Sequence, residues 1–116
     1  FPRVDIIYAH ANMQPDLVAA ALKLGAKGIV IAGVGDGNMP QAVLDVLARA
    51  VKSGTVVVRS TRLERGIVLR NNEVDDDKLG FVASGELNPA KSRVLLMLAL
   101  QKTASPAEVQ RIFNEY

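Results

Sequence analysis

The chain has 116 residues, of which 49% are hydrophobic and 22% charged, and its formal net charge at pH 7 is +2. This length suits one compact domain, residues 1–116, and the hydrophobic content is sufficient to fill its core, which excludes a disordered chain. The sequence contains no cysteine, which excludes disulfide scaffolds, thiol catalysis and thiolate metal sites. The small net charge and the 4% of aromatic residues do not favour nucleic-acid binding, and no apolar run is long enough to span a membrane.

The first half of the sequence alternates short apolar runs with amphipathic segments. The predicted elements, in chain order, are a strand over 4–9, a helix over 16–24, a strand over 28–32, a helix from residue 40 to about 52, and a strand over 55–59. This alternation with short connections is typical of a parallel sheet whose strands are joined by helical crossovers. We therefore predict a three-layer α/β fold, with a mainly parallel sheet of about four strands and helices on both faces.

The second half departs from this alternation. Residues 62–79 have mixed charge and are predicted to form a long excursion with a short strand near 67–69, and a fourth strand is predicted over 81–83. Two helices follow. The first is capped by Asn88 and runs to about residue 102. Its apolar run over 94–100 predicts burial on more than one side, possibly against another chain.

The last helix begins with a recognisable start signal. Ser105 and Glu108 have the spacing of a capping box, in which the serine accepts from a backbone amide and the glutamate reaches back. Val109, Ile112 and Phe113 then repeat with helical spacing. We expect this segment to be an amphipathic helix packed on the domain.

A glycine-rich loop at 33–38 follows the second strand and precedes a helix. Backbone amides and a helix N-terminus at such a position can face a polar ligand. Gly33 and Gly35 match the first two glycines of the dinucleotide-binding fingerprint, but Asn38 stands at the third. Three interpretations remain open: a tight turn with no ligand, another polar ligand, or a dinucleotide. Asn38 itself is predicted either to bind a ligand or to cap the next helix.

Other chemistry-bearing residues give weaker signals. The acidic run over 73–77 lacks the alternating ligands and the glycine of a calcium loop, so we predict a solvated turn rather than a metal site. His10 is the single histidine and has no neighbouring nucleophile, which favours a loop residue over a general base. Ser60, Thr61 and Ser84 lie near predicted strand ends without an evident activating base. The chain therefore lacks a complete catalytic constellation of its own.

Four segments together carry a family pattern. They are GIVIAGVGDGN (28–38), VVVRSTR (56–62), EVDDDKLGFVASGELNPAKSRVLLMLAL (73–100) and VQRIFNEY (109–116). With these segments the chain resembles the smaller C-terminal domain of the bacterial type II L-asparaginases, including the glutaminase-asparaginases. The resemblance covers essentially the whole chain and implies the Rossmann-like C-terminal domain of those enzymes. A sequence that begins at Phe1 also suggests a piece of a longer precursor.

The resemblance implies an amidohydrolase that converts L-asparagine, and in many members L-glutamine, to the corresponding acid and ammonia. In that family the threonine nucleophile, a second threonine, a lysine and an aspartate belong to an N-terminal domain, so residues 1–116 alone are expected to be inactive. The family also implies a homotetramer built as a dimer of dimers, with each active site between the N-terminal domain of one subunit and the C-terminal domain of its neighbour. It implies no metal or organic cofactor, no nucleic-acid or membrane partner, and a periplasmic location.

Two residues of this chain match the family's substrate-binding positions. Asn38 matches the asparagine that this domain lends to the neighbouring site, and Glu73 matches the glutamate near the substrate's α-amino group. Asp36 departs from the asparagine expected in the Gly-Asn-Gly-Asn form of the loop, which puts amino-acid binding at this loop in question. No residue of the chain is predicted to be catalytic.

Two alternatives of other classes stay open at this point. The first is a nucleotide-binding module that uses the glycine loop 33–38, with Arg59 and Arg62 after the third strand as a phosphate site. The second is a purely structural interaction domain with an unoccupied loop.

Overall fold

The computed structural model describes residues 1–10, 13–33, 39–61, 67, 70 and 76–116. Within these residues the elements are β1 (Val4–Tyr8), α1 (Asp16–Lys23), β2 (Gly28–Gly33), α2 (Gln41–Lys52), β3 (Val56–Thr61), α3 (Asp76–Leu79), β4 (Val82–Ala83), α4 (Pro89–Leu100) and α5 (Pro106–Asn114). The four main strands and the four long helices are confirmed, with ends displaced by at most two residues. The short strand predicted near 67–69 is not confirmed at Ile67, and residues 68 and 69 lie outside the described part.

The four strands form one parallel sheet in the order β1-β2-β3-β4, which is also their order along the chain. Every residue of β2 and β3 is buried, as expected for strands covered on both faces. Because the order of the strands in the described residues never reverses, this part of the sheet has no switch point at which the loops separate to leave a crevice. Its strand ends therefore form one continuous edge rather than a ready-made cleft.

Helices cover both faces of the sheet, which confirms the three-layer α/β architecture. Side chains alternate along the strands: Ile29 and Ile31 pack in the cluster formed with α1 and α2, whereas Val30 packs in the cluster formed with α4 and α5. The same alternation places Val57 on the first face and Val58 on the second. The sheet thus separates two hydrophobic cores.

Helix α4 begins and packs as its sequence indicates. The side chain of Asn88 accepts a hydrogen bond from the backbone amide of Lys91 at 2.8 Å, which confirms the predicted cap. A Cβ at Gly28 would lie only 2.7 Å from Cδ2 of Leu96, so the glycine allows α4 to approach β2 closely. None of the described helices is both long and apolar enough to cross a membrane.

The outer side of α4 remains exposed in this single chain. Leu96 and Ala99 are buried against the sheet, but Val94 and Leu98 keep 54% and 49% of their surface exposed. The chain by itself therefore buries α4 on one side, and burial of a second side, possibly against another chain, stays a prediction. A helix that is apolar on both sides leaves one apolar surface on the outside of the domain.

Helix α5 covers the edge of the sheet that β4 forms. The side chain of Gln110 is buried, and its Oε1 accepts from the backbone amide of Ala83 at 2.8 Å while its Nε2 donates to the Ala83 carbonyl at 3.2 Å. The glutamine amide thereby takes the place of another strand beside β4, which satisfies backbone groups that an edge would leave unpaired.

The start of α5 forms only half of the predicted capping box. The hydroxyl of Ser105 lies 3.5 Å from the amide nitrogen of Glu108, at the long limit of a hydrogen bond. The backbone amide of Ser105 donates to Oγ1 of Thr103 at 3.0 Å instead of to the glutamate. The carboxylate of Glu108 pairs with Arg111 at 2.7 Å. The expected hydrogen bond from the Ser105 amide to the Glu108 carboxylate is thus replaced by two others: Thr103 accepts from the amide, and Arg111 binds the carboxylate.

Candidate functional site

The carboxyl ends of β2 and β3 lie side by side. Gly33 is opposite Thr61 in the sheet, and Oγ1 of Thr61 lies 3.5 Å from the Gly33 carbonyl oxygen. The glycine loop follows β2 at this edge, and the excursion that contains the acidic run follows β3 at the same edge. Both stretches that carry a predicted binding residue therefore leave the sheet from neighbouring positions.

Asn38 and Glu73, the two predicted substrate-binding residues, lie outside the described residues, as do Asp36 and Arg62. Around Asn38 the nearest described residues are Gly33 and Met39, and around Glu73 they are Arg70 and Asp76. Met39, which follows Asn38 directly, is half-buried against the core formed with α1 and α2. The joint role of Asn38 and Glu73 stays a prediction.

A buried ion pair joins β3 to the end of the acidic run. Nε of Arg59 donates to Oδ1 of Asp76 at 2.9 Å, and its Nη2 donates to Oδ2 at 2.8 Å. Both side chains are completely buried. Two parallel hydrogen bonds between a guanidinium and a carboxylate fix both the distance and the orientation of the pair. This pair is the best-defined polar contact near the strand ends.

The position of Arg59 explains why it needs this partner. Arg59 lies opposite Ile31 of β2 and Ala83 of β4, inside a sheet covered on both faces. Strand alternation places it on the same face as Val57, against the first core. A charged group taken out of water there requires an opposite charge and saturated hydrogen bonds. Asp76 supplies the opposite charge and accepts two of the guanidinium's hydrogen bonds.

Two predictions are corrected by this contact. The acidic run was predicted to be a solvated turn, but Asp76 is fully buried and begins α3, because its carboxylate neutralises Arg59. Arg59 was considered as part of a phosphate site, but its guanidinium is bound to Asp76 and has no exposed surface. The sequence did contain a signal for the pair: an arginine that follows three valines in a strand covered on both faces requires a buried acid.

The two serine hydroxyl groups near the strand ends have different surroundings. Oγ of Ser60 lies 3.4 Å from the Leu87 carbonyl oxygen, a long contact. Ser84 follows β4, and its Oγ is the single buried side-chain polar atom without a hydrogen-bond partner in the described part of the chain. His10 is exposed beyond the end of β1. The described residues show no contact that would activate Ser60 or Ser84 as a nucleophile.

A polar cavity of about 430 Å³ lies between α3 and the start of α5. Its charged groups include Arg70, which pairs with Asp77 at 2.8 Å, and Arg111, which pairs with Glu108. Because these arginines already have carboxylate partners, the cavity offers a ligand little uncompensated charge. Among the described residues there is also no group of three or more His, Asp or Glu side chains that could hold a metal ion.

Comparison with known proteins decides the family. The family model described as the glutaminase/asparaginase C-terminal domain matches residues 3–113. The chain belongs to this family. Over 116 aligned residues, the asparaginase C-terminal domain described here is 55% identical to L-asparaginase 2 of Escherichia coli, and the alignment covers 99% of the chain. It is 51% identical to the probable periplasmic L-asparaginase of Haemophilus influenzae and 43% identical to the glutaminase-asparaginase of Acinetobacter glutaminasificans, each over 99% of the chain.

The chain spans about a third of the length of these relatives, 33% of the first two and 35% of the third. The comparison thus establishes an asparaginase C-terminal domain and confirms the resemblance drawn from the four sequence segments. It does not favour the nucleotide-binding alternative, which also loses Arg59 to the buried ion pair.

Proposed function

We propose that this domain is the C-terminal part of an amidohydrolase that converts L-asparagine to L-aspartate and ammonia, with L-glutamine as a second substrate. The observation that carries the proposal is the family match over residues 3–113, together with 55% identity to a protein named L-asparaginase 2. Relatives named glutaminase-asparaginase at 43% and 41% identity support the second substrate.

In this proposal the domain binds the substrate and does not break the bond. Glu73 supplies a carboxylate that attracts the α-ammonium group of the amino acid through a charge-assisted hydrogen bond. Asn38 supplies a donor and an acceptor, which suits a group that carries both an amide and a carboxylate. The threonine nucleophile and its lysine and aspartate belong to the N-terminal domain, as the family resemblance implies.

The fold supports a shared site for these two residues. Asn38 belongs to the connection from β2 to α2, and Glu73 belongs to the connection from β3 to α3. Both connections begin at the carboxyl ends of adjacent parallel strands, where loops of α/β proteins commonly bind ligands. Since the strand order creates no crevice, a second chain segment would have to complete the pocket.

We propose that the second segment is the N-terminal domain of a neighbouring subunit in a homotetramer, a dimer of dimers. In support, the outer side of α4 forms an open apolar groove of about 400 Å³ that includes Val94, Leu98 and Tyr116. Exposed apolar surfaces of this kind are commonly covered by a partner. The periplasm is the proposed location, because the Haemophilus relative is named periplasmic.

The test compares two substrates in the full-length protein. We expect Glu73→Ala to raise KM for L-asparagine by about tenfold or more, because a charge-assisted contact is lost. With succinamate, which has the same amide but no α-amino group, wild type and Glu73→Ala should have equal kcat/KM. The control is Glu108→Ala, on the exposed surface of α5, with unchanged kinetics. Equal loss on both substrates would remove Glu73 from the ammonium site, and no ammonia from either wild-type reaction would reject the proposed activity.

Subunit mixing tests the neighbouring-subunit part. A variant that lacks the N-terminal nucleophile and a second variant with both Asn38→Ala and Glu73→Ala are each expected to have little activity. When the two are co-expressed, hybrid tetramers should regain activity, because one type of site then contains both intact halves. Failure of stable hybrids to regain activity would indicate that each site takes both halves from one subunit.

A further inference from the structure

Three serine side chains lie inside the domain near the carboxyl ends of the last two strands. Ser60 belongs to β3, Ser84 follows β4 directly, and Ser92 lies near the start of α4. All three are buried, with 0%, 2% and 0% of their surface exposed. Hydroxyl groups removed from water in this way need hydrogen-bond partners inside the protein.

The sheet places two of these serines side by side on one face. The backbone amide of Ser84 donates to the Arg59 carbonyl oxygen at 3.0 Å, so the pairing of β4 with β3 continues to Ser84 and puts it beside Ser60. Ser60 and Ser84 each follow, by two positions, a valine of the core formed with α4 and α5. Strand alternation therefore directs both side chains to the face on which α4 packs, and Ser92 belongs to the buried side of that helix.

Only weak contacts serve these hydroxyl groups in the described part of the chain. Oγ of Ser60 and Oγ of Ser92 each lie 3.4 Å from the carbonyl oxygen of Leu87. A hydrogen bond from a hydroxyl to an oxygen atom normally measures about 2.5–3.0 Å. Oγ of Ser84 has no partner among the described residues, although the Ser84 carbonyl oxygen lies 3.4 Å from the amide nitrogen of Leu87. Three hydroxyl groups and one carbonyl group thus lie close together without good direct hydrogen bonds.

We propose that one ordered water molecule is bound by four oxygen atoms, which are Oγ of Ser60, Ser84 and Ser92 and the carbonyl oxygen of Leu87. Neighbouring strands lie about 4.8 Å apart. A water molecule that bonds two oxygen atoms at about 2.8 Å each can bridge a gap of up to about 5.6 Å between them. Buried waters usually make about three hydrogen bonds to groups that are otherwise unsatisfied, which is the situation of these side chains.

The chemistry of the four oxygen atoms favours water over an ion. Water accepts hydrogen bonds from serine hydroxyls and donates to the Leu87 carbonyl, so both kinds of group find a complement. An anion would lie against the carbonyl oxygen, and a cation would lie near the N-terminus of α4, whose amide groups carry a partial positive charge. The bound water joins β3, β4 and the start of α4, and this assignment is independent of the proposed activity.

A high-resolution crystal structure of the full-length protein tests the site. We expect one ordered water within about 2.6–3.2 Å of Oγ of Ser84 and of the Leu87 carbonyl oxygen. In Ser84→Ala this water should be lost, and amide hydrogen exchange over residues 84–92 should become about tenfold faster, the effect of about one lost hydrogen bond. The matched control is Ser53→Ala, which removes an exposed hydroxyl 3.3 Å from the Arg49 carbonyl oxygen. It should keep the water and change the exchange rate by less than about twofold.

Several results would overturn the assignment. They are a wild-type structure with no water between these atoms, a direct hydrogen bond from the Ser84 hydroxyl to another protein group, and a water that stays in place in Ser84→Ala. If Ser84→Ala does not fold or crystallise, Ser60→Ala removes the contact from β3 and gives the same comparison. Release of ammonia from L-asparagine is measured separately, so a failure of the proposed function would leave the water site unaffected.

Discussion

Two arginine–carboxylate pairs of similar length lie in very different parts of the domain. Arg59 and Asp76 are separated by 17 residues, join β3 to α3 and have no exposed surface. Arg111 and Glu108 are one turn apart in α5, and their side chains remain 62% and 53% exposed. The shortest distances are 2.8 and 2.7 Å. The N–O distance therefore does not distinguish the buried pair, which joins two segments of the fold, from the pair that lies exposed on the surface.

The two ion pairs differ in their exposure to solvent and in the distance along the chain between their partners. Water and salt screen the exposed pair, and helical geometry already brings its two side chains together. The buried pair has no water to replace a lost partner, and it joins segments that are distant in sequence. Removing a partner should therefore have a large effect at β3 and a small one on α5.

The largest expected effect follows loss of the carboxylate from the buried pair. Asp76→Asn keeps the shape of the side chain but removes the negative charge of the carboxylate that faces the Arg59 guanidinium. We expect the opening free energy of β3 and β4, measured by amide hydrogen exchange in the full-length protein, to fall by about 3–5 kcal/mol. The matched change on the surface, Glu108→Gln, should leave this protection unchanged. Equal effects of the two changes would contradict the comparison.

A neutral buried contact should give an intermediate effect. Gln110 lies in the same helix as the exposed pair but faces inward, where its amide makes two hydrogen bonds to Ala83. Gln110→Ala leaves the amide and the carbonyl of Ala83 buried without partners, so we expect the opening free energy of β4 to fall by about 1–3 kcal/mol. The control is Gln41→Ala, which removes an exposed glutamine bonded to Asp45 and should change stability by less than about 0.5 kcal/mol. If β4 is unaffected by Gln110→Ala, water must reach Ala83 in its place.

Local patterns explain why the fold could be predicted so fully from the sequence. Strand β2 is an uninterrupted apolar run and β3 begins with three valines. The Asn88–Pro89 start of α4 needs only residues within one turn. The order of the strands along the sheet was not predicted, because hydrophobic periodicity does not contain it. The predicted burial of α4 on more than one side is met by this chain on one side only, because composition cannot tell whether an apolar side is covered by the same chain or by another.

The contacts that could not be predicted from the sequence are mainly those between residues that are distant along the chain. In the sequence, Arg59 was part of an alternative phosphate site and the acidic run was predicted to be a solvated turn, whereas Arg59 and Asp76 form one buried ion pair. Nothing local indicates which of the acids in the run is buried. The candidate site was predicted in a different way. Asn38 and Glu73 were selected from the family pattern, whereas physical reasoning about single residues left the role of Asn38 open. Their placement depends on chain segments that follow the strand ends.

The smallest effect should come from the exposed pair, and it is best detected by titration. The hydrogen bond from Arg111, and then the positive charge of Arg111, hold the pKa of Glu108 below its ordinary value of 4.5. Because the pKa is lower in the folded state than in the unfolded state, this contact stabilises the fold above pH 4.5, and the contribution disappears as the pH falls through the folded-state pKa.

A carbon-detected NMR titration should show the pKa of Glu108 rising towards its ordinary value in Arg111→Gln. About 1 M salt should produce only part of that rise, because it screens the charge and leaves the hydrogen bond in place. A Glu108 pKa that is unaffected by Arg111→Gln would show that the exposed pair is not maintained in solution. Exposed charges can separate because water solvates each of them, whereas the buried charges of Arg59 and Asp76 have no access to water.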